Sequence, residues 1–257
     1  MAPGAGDDAP FRLEWRDGLA VVHLTCGKAN ALNPRTLAAL ERALDDSRGG
    51  DARGLVLTGY DRFFSAGLDL VGLYKLERGV MDEFMARFDA VMLRVFAYPR
   101  PVVAALTGHA VAGGAVLALA CDARVMGATA GRFGLNEIRL GVPFPASALE
   151  IVRYAVPAHS VEEVLYGGEL FDSRAALERG LVTEVVDGDV LEAAGRMCGR
   201  LASPPTIAFE TIKTALKAPA VERAQATLEP LRRAFVDAWY APEARRRIGE
   251  ARVRLGA

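Results

Sequence analysis

Histidine, cysteine and surplus charge are scarce in this chain. Three cysteines occur in 257 residues. Cys26, Cys121 and Cys198 are an odd set, far apart, with no C-x-x-C pair and no histidine-rich segment beside them. That argues against a disulfide framework and against any metal site, and a reducing, cytoplasmic setting is expected. Lys and Arg total 31 against 32 Asp and Glu, a net charge of −1. So even a balance implies no basic face for nucleic acid or an anionic membrane. The three histidines, His23, His109 and His159, are dispersed. His109 lies in an apolar segment, where a lone histidine is most often a packing residue.

Motifs for several chemistries are missing too. There is no G-x-G-x-x-G and no G-x-x-x-x-G-K-[ST], so no dinucleotide or P-loop nucleotide is supported, and no cofactor is expected. Ser65 is not in a G-x-S-x-G elbow, which argues against a serine hydrolase. The longest apolar run, residues 102–121, is broken by glycines and His109 and closed by Asp122. It reads as strand, turn and buried helix rather than a membrane span. Residues 1–10 have neither the basic start nor the apolar centre of a secretory signal, and their acidity argues against a transit peptide; a disordered leader is expected.

The rest of the chain is 51% hydrophobic, enough for one substantial core. Residues 19–24, 54–58, 102–106, 123–126 and 181–186 carry strand signals. Residues 34–46, entered through Asn33 as a cap, and 80–97 have helical spacing. From residue 203 onward the pattern is almost purely helical, with segments 205–217, 221–240 and 242–255. The last is too basic to form a core alone and is expected to pack on something else. Short strands alternating with helices predict an α/β core over 11–202, followed by a helical region over 203–257.

Two stretches carry the chemistry: Phe63-Phe64-Ser65-Ala66-Gly67-Leu68-Asp69-Leu70, and Gly108-His109-Ala110-Val111-Ala112-Gly113-Gly114-Ala115-Val116, running on to Cys121-Asp122. Each sets a small-residue turn between a strand-like and a helical run. Such turns leave backbone N–H groups unpaired and open to close approach, and the helix after the second aims its positive end at the same place. Two converging N–H donors make an oxyanion hole. A thioester carbonyl suits it, because abstracting a neighbouring proton puts the enolate charge on oxygen.

Together with Lys28-Ala29-Asn30-Ala31-Leu32, Pro99-Arg100-Pro101, Phe133-Gly134-Leu135-Asn136-Glu137 and Ala175 to Val182, these stretches resemble the crotonase (enoyl-CoA hydratase/isomerase) superfamily. The resemblance runs from about residue 11 onward. It implies a spiral of strand-strand-helix repeats with a helical C-terminal region, a homotrimer or dimer of trimers, and an acyl-CoA thioester substrate whose coenzyme A is part of the substrate rather than a cofactor. By the same resemblance, the N–H groups of Leu68 and Gly113 form the oxyanion hole. The adenine lies against Lys28, Ala29 and Ala31 and against Ser65 and Ala66, with Asp69, Leu70 and Asn136 also at the substrate.

Similar members that hydrate enoyl-CoA divide acid and base work between two glutamates. The first position falls here on Val116, which cannot carry a proton; the second is Glu137, within a Leu135-Asn136-Glu137 triplet similar to that of Δ3,Δ2-enoyl-CoA isomerases. One carboxyl group suffices for a proton shift between two carbons. The expected activity is therefore isomerisation of 3-enoyl-CoA to 2-enoyl-CoA, with hydration and catalytically silent acyl-CoA binding as alternatives. Pro145 stands where dienoyl-CoA isomerases carry a second acid, which disfavours that variant. Leu73, Tyr74, Met81, Met85 and Phe88 are expected to line or cover the acyl tail.

Overall fold

A computed structural model describes residues 11–50, 52–60 and 62–254. The expected leader, residues 1–10, and the last expected helical residue, Leu255, lie outside the described residues. Six strands form the main sheet: β1 (Phe11–Arg16), β2 (Leu19–Leu24), β3 (Gly54–Thr58), β5 (Val102–Leu106), β7 (Ala123–Gly127) and β9 (Glu184–Val186), in the order β1-β2-β3-β5-β7-β9. Strands β1 and β2 pair antiparallel; the other pairs are parallel.

Every residue of β3, β5 and β7 is buried, as expected of parallel strands covered on both faces. The faces sort by alternation. Leu55, Leu57, Ala104 and Leu106 join the main core, whereas Val56, Val103 and Ala105 pack with Ala193, Ala194, Met197 and Cys198 of helix α9 (Val190–Leu201).

A second, three-stranded parallel sheet has the order β4-β6-β8, from β4 (Phe63–Ser65), β6 (His109–Val111) and β8 (Phe133–Gly134). The chain passes from large sheet to small sheet to helix three times. The sequence runs β3, β4, then α2 (Leu70–Leu73) and α3 (Arg78–Phe96); β5, β6 and α4 (Gly113–Ala120); β7, β8 and α5 (Glu137–Leu140), after which come α6 (Ala146–Ala155), α7 (Ala158–Gly167) and α8 (Ser173–Glu178). This is the expected spiral, and each turn delivers the C-terminal end of a small-sheet strand to one place. Helix α1 (Pro34–Gly49) starts where expected, with the Asn33 side chain accepting from Thr36 N at 3.1 Å.

Several boundaries differ from expectation. Strand β1 was not anticipated; its signal is Asp17-Gly18, both at positive φ, the two-residue hairpin turn that joins it to β2. Only Glu184–Val186 of the expected strand 181–186 pairs as one, because the N–H groups of Leu181 and Val182 both turn back to Ala176 O. Helix α10 (Thr206–Trp239) runs unbroken through Pro219 and Pro230, where two helices were expected. A mid-helix proline costs about 3 kcal/mol. Burial of Lys213, Lys217, Ala220 and Ala224, a stripe at helical spacing on both sides of Pro219, holds the helix together against α6 (Ala146–Ala155) and α3.

At that contact Lys213 Nζ and Lys217 Nζ donate to the two oxygens of Asp122 at 2.6 and 2.7 Å. Both ammonium groups are buried, and each also donates to a backbone carbonyl, of Arg100 and Phe96 respectively. Burial, with Lys217 alongside, lowers the Lys213 ammonium to about 8.

Candidate active site

Strand β4 ends in Ala66-Gly67-Leu68 and β6 in Ala112-Gly113, and the two turns touch. Gly67 has φ +84°, and a Cβ there would stand 2.8 Å from Val111 O and 2.9 Å from Ala112 Cβ. Behind them, a Cβ on Gly114 would lie 2.2 Å from Ser65 O, so α4 begins pressed against β4 in a way only glycine allows.

This contact sets two amides. Leu32 bridges to Leu68 in parallel, its N–H donating to Gly67 O at 2.7 Å and its O accepting from Asp69 N at 2.9 Å. Those bonds use the groups on either side of Leu68 and leave its own N–H turned away from Leu32, without an acceptor among the described residues. Gly113 opens α4, so its N–H has no acceptor within the helix and carries part of the helix's positive end. Four non-glycine residues among those described have positive φ, and three flank these turns: Ala29, Asn30 and Ala112. Backbone strain of this kind persists where the surroundings over-determine it. Asn30 supplies the restraint, its side chain donating to Leu24 O and Phe64 O and accepting from Cys26 N.

Glu137 is the first residue of α5, three residues beyond β8. It lines the same cleft as Leu68 and Ala112, a cavity of about 960 Å³, and is 8% exposed. Its Oε2 has no hydrogen-bond partner among the described residues. Burial pushes the carboxyl up to about 8, opposed only by its own backbone N–H. Val116, on the helix behind Gly113, is fully buried core and presents no polar group.

The remaining candidate residues divide. Ala66, Leu70 and Asn136 line the cleft with Leu68. Ser65 is buried, its hydroxyl donating to Asn30 O and accepting from Gly67 N, so it shapes the first turn. Lys28 and Ala29 form a short 3-10 turn with Asn30, exposed at Lys28 and tied to the first turn by Ala66 N donating to Ala29 O. Ala31 follows, its carbonyl accepting from Thr36 Oγ1. Asp69 caps α2, its carboxylate accepting from Gly72 N and from Asn33 Nδ2. None of these five lines the cleft.

The expected acyl wall is a correction. Leu73, Met81, Met85 and Phe88 are packed into the core, and Tyr74 lies between the guanidinium groups of Arg245 and Arg252. The apolar side of the cleft is made instead by Leu140, Val142, Phe235 and Trp239. Phe235 and Trp239 stack at 5.9 Å near the end of α10, and Arg247, Glu250 and Ala251 of α11 (Pro242–Arg254) complete the rim. That is what the basic last segment packs on. No local pattern announces these residues, because their contacts depend on a helix returning from far along the chain.

At the other side of the cleft His109 and Val111 share one face of β6. Among the described residues no group of three or more His, Cys, Asp or Glu is placed to hold a metal ion, and no helix is long and apolar enough to cross a membrane.

The comparisons with known proteins agree with this geometry. A family model described as Enoyl-CoA hydratase/isomerase matches residues 14–247. A relative from Thermus thermophilus, named as an enoyl-CoA hydratase, is 36% identical over 196 residues, covering 74% of this chain and 77% of its own. The structure of an enoyl-CoA isomerase from Mycobacterium tuberculosis superposes with a TM-score of 0.83 at 30% identity, over 89% of this chain and 100% of that one. The human mitochondrial Δ3-Δ2-enoyl-CoA isomerase shares the fold, with a TM-score of 0.89 at 24% identity over 96% of this chain and 98% of that one. With a free amide at Leu68 and another at Gly113 on touching turns, a buried carboxyl in the cleft that Leu68 lines and a matched family model over most of its length, this chain belongs to the enoyl-CoA hydratase/isomerase, or crotonase, family.

Proposed function

We propose that this protein is an acyl-CoA isomerase that moves a double bond from the 3 to the 2 position of an enoyl thioester. The thioester oxygen accepts from Leu68 N–H and Gly113 N–H. The Glu137 carboxylate removes a proton from C2, the electrons pass through the carbonyl to give a dienolate held by the two amides, and the protonated Glu137 returns the proton to C4. One proton leaves and one returns, so neither water nor a cofactor enters the balance. Stabilisation of the developing oxyanion is worth about 3–4 kcal/mol for each donor in comparable sites.

The observation that carries this reading is the pairing of Glu137 with Val116. The cleft's one buried carboxyl group shares its lining with Leu68, whose amide is free, while the helix behind Gly113 offers a fully buried valine. Glu169 and Glu250 also line the cleft but are exposed, where neither is desolvated for proton transfer. The 3-10 turn at Lys28 and Ala29, with Ala31, Ser65 and Ala66, is the proposed adenine side of the site; Leu70 and Asn136 border the thioester, and Asp69 acts behind them by capping α2. The exposed Ile212 and Leu216, one turn apart on the first half of α10, supply an apolar patch suited to a homotrimer or dimer of trimers.

A second reading, hydration of 2-enoyl-CoA, is favoured by the names of the curated relatives, several of which are called enoyl-CoA hydratases. Incubation with 3-enoyl-CoA and, separately, with 2-enoyl-CoA tests both. Conversion of the first without appearance of 3-hydroxyacyl product from the second is the expected result. Rapid hydration reverses the assignment, and acyl-CoA binding with no product from either substrate makes the protein a silent member.

A further inference from the structure

One cleft residue is not used by that mechanism. His109 is the first residue of β6; Ala110 after it turns into the core, and Val111 returns to the cleft. The imidazole packs on Phe63 at 5.4 Å, and its Nδ1 accepts from Arg132 N at 3.1 Å. A neutral ring that accepts at Nδ1 carries its proton on Nε2. Gly131 closes that edge. Its φ is +107°, and a Cβ there would meet Nδ1 and Cε1 at 2.9 Å, so the backbone is shaped around the ring. Burial, Arg62 and Arg132 all hold the imidazole below its ordinary value, so it stays neutral at pH 7. Nε2–H has no acceptor among the described residues.

Distance separates this donor from the chemistry. His109 lies four residues before Gly113, a backbone path of at most about 13 Å at ~3.3 Å per residue, and the two are separated by the rest of β6 and the Ala112 turn. Proton transfer needs a reach of about 3 Å. A ligand spanning both points is a thioester with a long polar arm, and the lone donor, beside Arg62 and Arg132, suits an oxygen acceptor on that arm.

We propose that His109 is a ligand-binding residue whose Nε2–H donates to an oxygen of the coenzyme A arm, remote from the reacting carbons. The proposal rests on the acyl-CoA reading above but not on which reaction follows. The acceptor is the second carbonyl of the pantetheine, beyond the amide that N-acetylcysteamine retains, or a phosphate oxygen of the nucleotide.

His109→Phe keeps the ring on Phe63 and deletes the donor; His109→Gln retains a donor. Each is assayed with the acyl thioesters of coenzyme A, of pantetheine and of N-acetylcysteamine, whose arm stops at the first amide. The expected result for His109→Phe is a KM for acyl-CoA raised about tenfold, the scale of one lost hydrogen bond, with kcat within about twofold. His109→Gln recovers part of the loss, and the N-acetylcysteamine thioester is indifferent to both. Loss with acyl-pantetheine assigns the acceptor to the pantetheine, and loss with acyl-CoA alone assigns it to the nucleotide. An unchanged KM on all three thioesters, or an equal rise on all three, overturns the proposal.

Two measurements do not depend on turnover, and the second needs no variant. Calorimetry with free coenzyme A is expected to show weaker binding by His109→Phe. Imidazole-nitrogen NMR of the wild type is expected to show a protonated Nε2 that shifts when coenzyme A is added. An Nδ1-protonated ring, or a resonance that coenzyme A leaves in place, overturns the proposal by itself. Absence of coenzyme A binding by the wild type overturns the acyl-CoA reading along with it.

Discussion

Gly67 and Gly113 stand so close that a Cβ added to Gly67 would lie 3.0 Å from Gly113 N. The separation places the amide that follows Gly67 beside the amide of Gly113, and it depends on the absence of a side chain. Gly67→Ala must push the two turns apart or block the space between them, and φ +84° adds strain for alanine. The expected outcome is a kcat reduced by about 10², the cost of a displaced oxyanion donor. KM changes little and the circular dichroism spectrum is native. Normal turnover by this variant would place the oxyanion elsewhere.

Replacing Glu137 by glutamine keeps the shape and removes the proton site. Turnover of 3-enoyl-CoA is expected to fall by about 10²–10⁴ while acyl-CoA binding persists. The same group sets the pH response. Only the carboxylate abstracts a proton, so kcat/KM of the wild type should rise with pH through about 8. Stability runs the other way. The folded carboxyl holds its proton more tightly than the unfolded one, whose ordinary value is 4.5. That contribution is complete below 4.5 and is lost as pH rises to about 8. Urea denaturation should show the wild type losing stability relative to Glu137→Gln across that interval; parallel curves for the two proteins would contradict the burial of this charge.

Val116 is fully buried, so Val116→Glu sets a carboxyl into core on the helix behind Gly113. The variant should lose about 2–4 kcal/mol of stability, held down by the group staying protonated. Hydration of 2-enoyl-CoA should rise from its wild-type level, read by chromatography of the 3-hydroxyacyl product. Fast hydration by the wild type itself would show that Val116 is no barrier to that reaction.

Asp122 faces two buried ammonium groups at 2.6 and 2.7 Å. Asp122→Ala leaves Lys213 and Lys217 beside each other with no counter-charge, and a loss of about 3–5 kcal/mol is expected. The midpoint of urea unfolding measures it, and a loss below about 1 kcal/mol would mean that water reaches the lysines.

The sequence carried the local rules well and the long-range ones poorly. Asn33, the alternation in β3 and β5, and the small-residue turns at Gly67 and Gly113 are decided by neighbours a few residues away, and their positions were readable. Glu137 and Val116 were singled out by likeness to a family pattern, and the structure adds that one is a desolvated carboxyl in the cleft and the other is core. Met81, Met85 and Phe88 show the opposite case. Their helical spacing marks a buried face without saying whether it meets a ligand or another helix, and here it meets the core. Phe235 and Trp239 reach the cleft only because α10 continues through Pro219, a continuity that burial of Lys217, Ala220 and Ala224 enforces and that propensity alone denies.

The Asp122 arrangement also bears on how the chain is made. Lys213 and Lys217 follow Asp122 by 91 and 95 residues. Synthesis proceeds from the N-terminus at about 5–20 residues per second, so for several seconds the nascent sheet holds a carboxylate whose cations do not yet exist. The emerging α10 supplies them, and the same helix then brings Phe235 and Trp239 to the cleft. A chain stopped before residue 213 thus lacks both the neutralising charges and one wall of its own site, and maturation of this protein finishes from its C-terminal end.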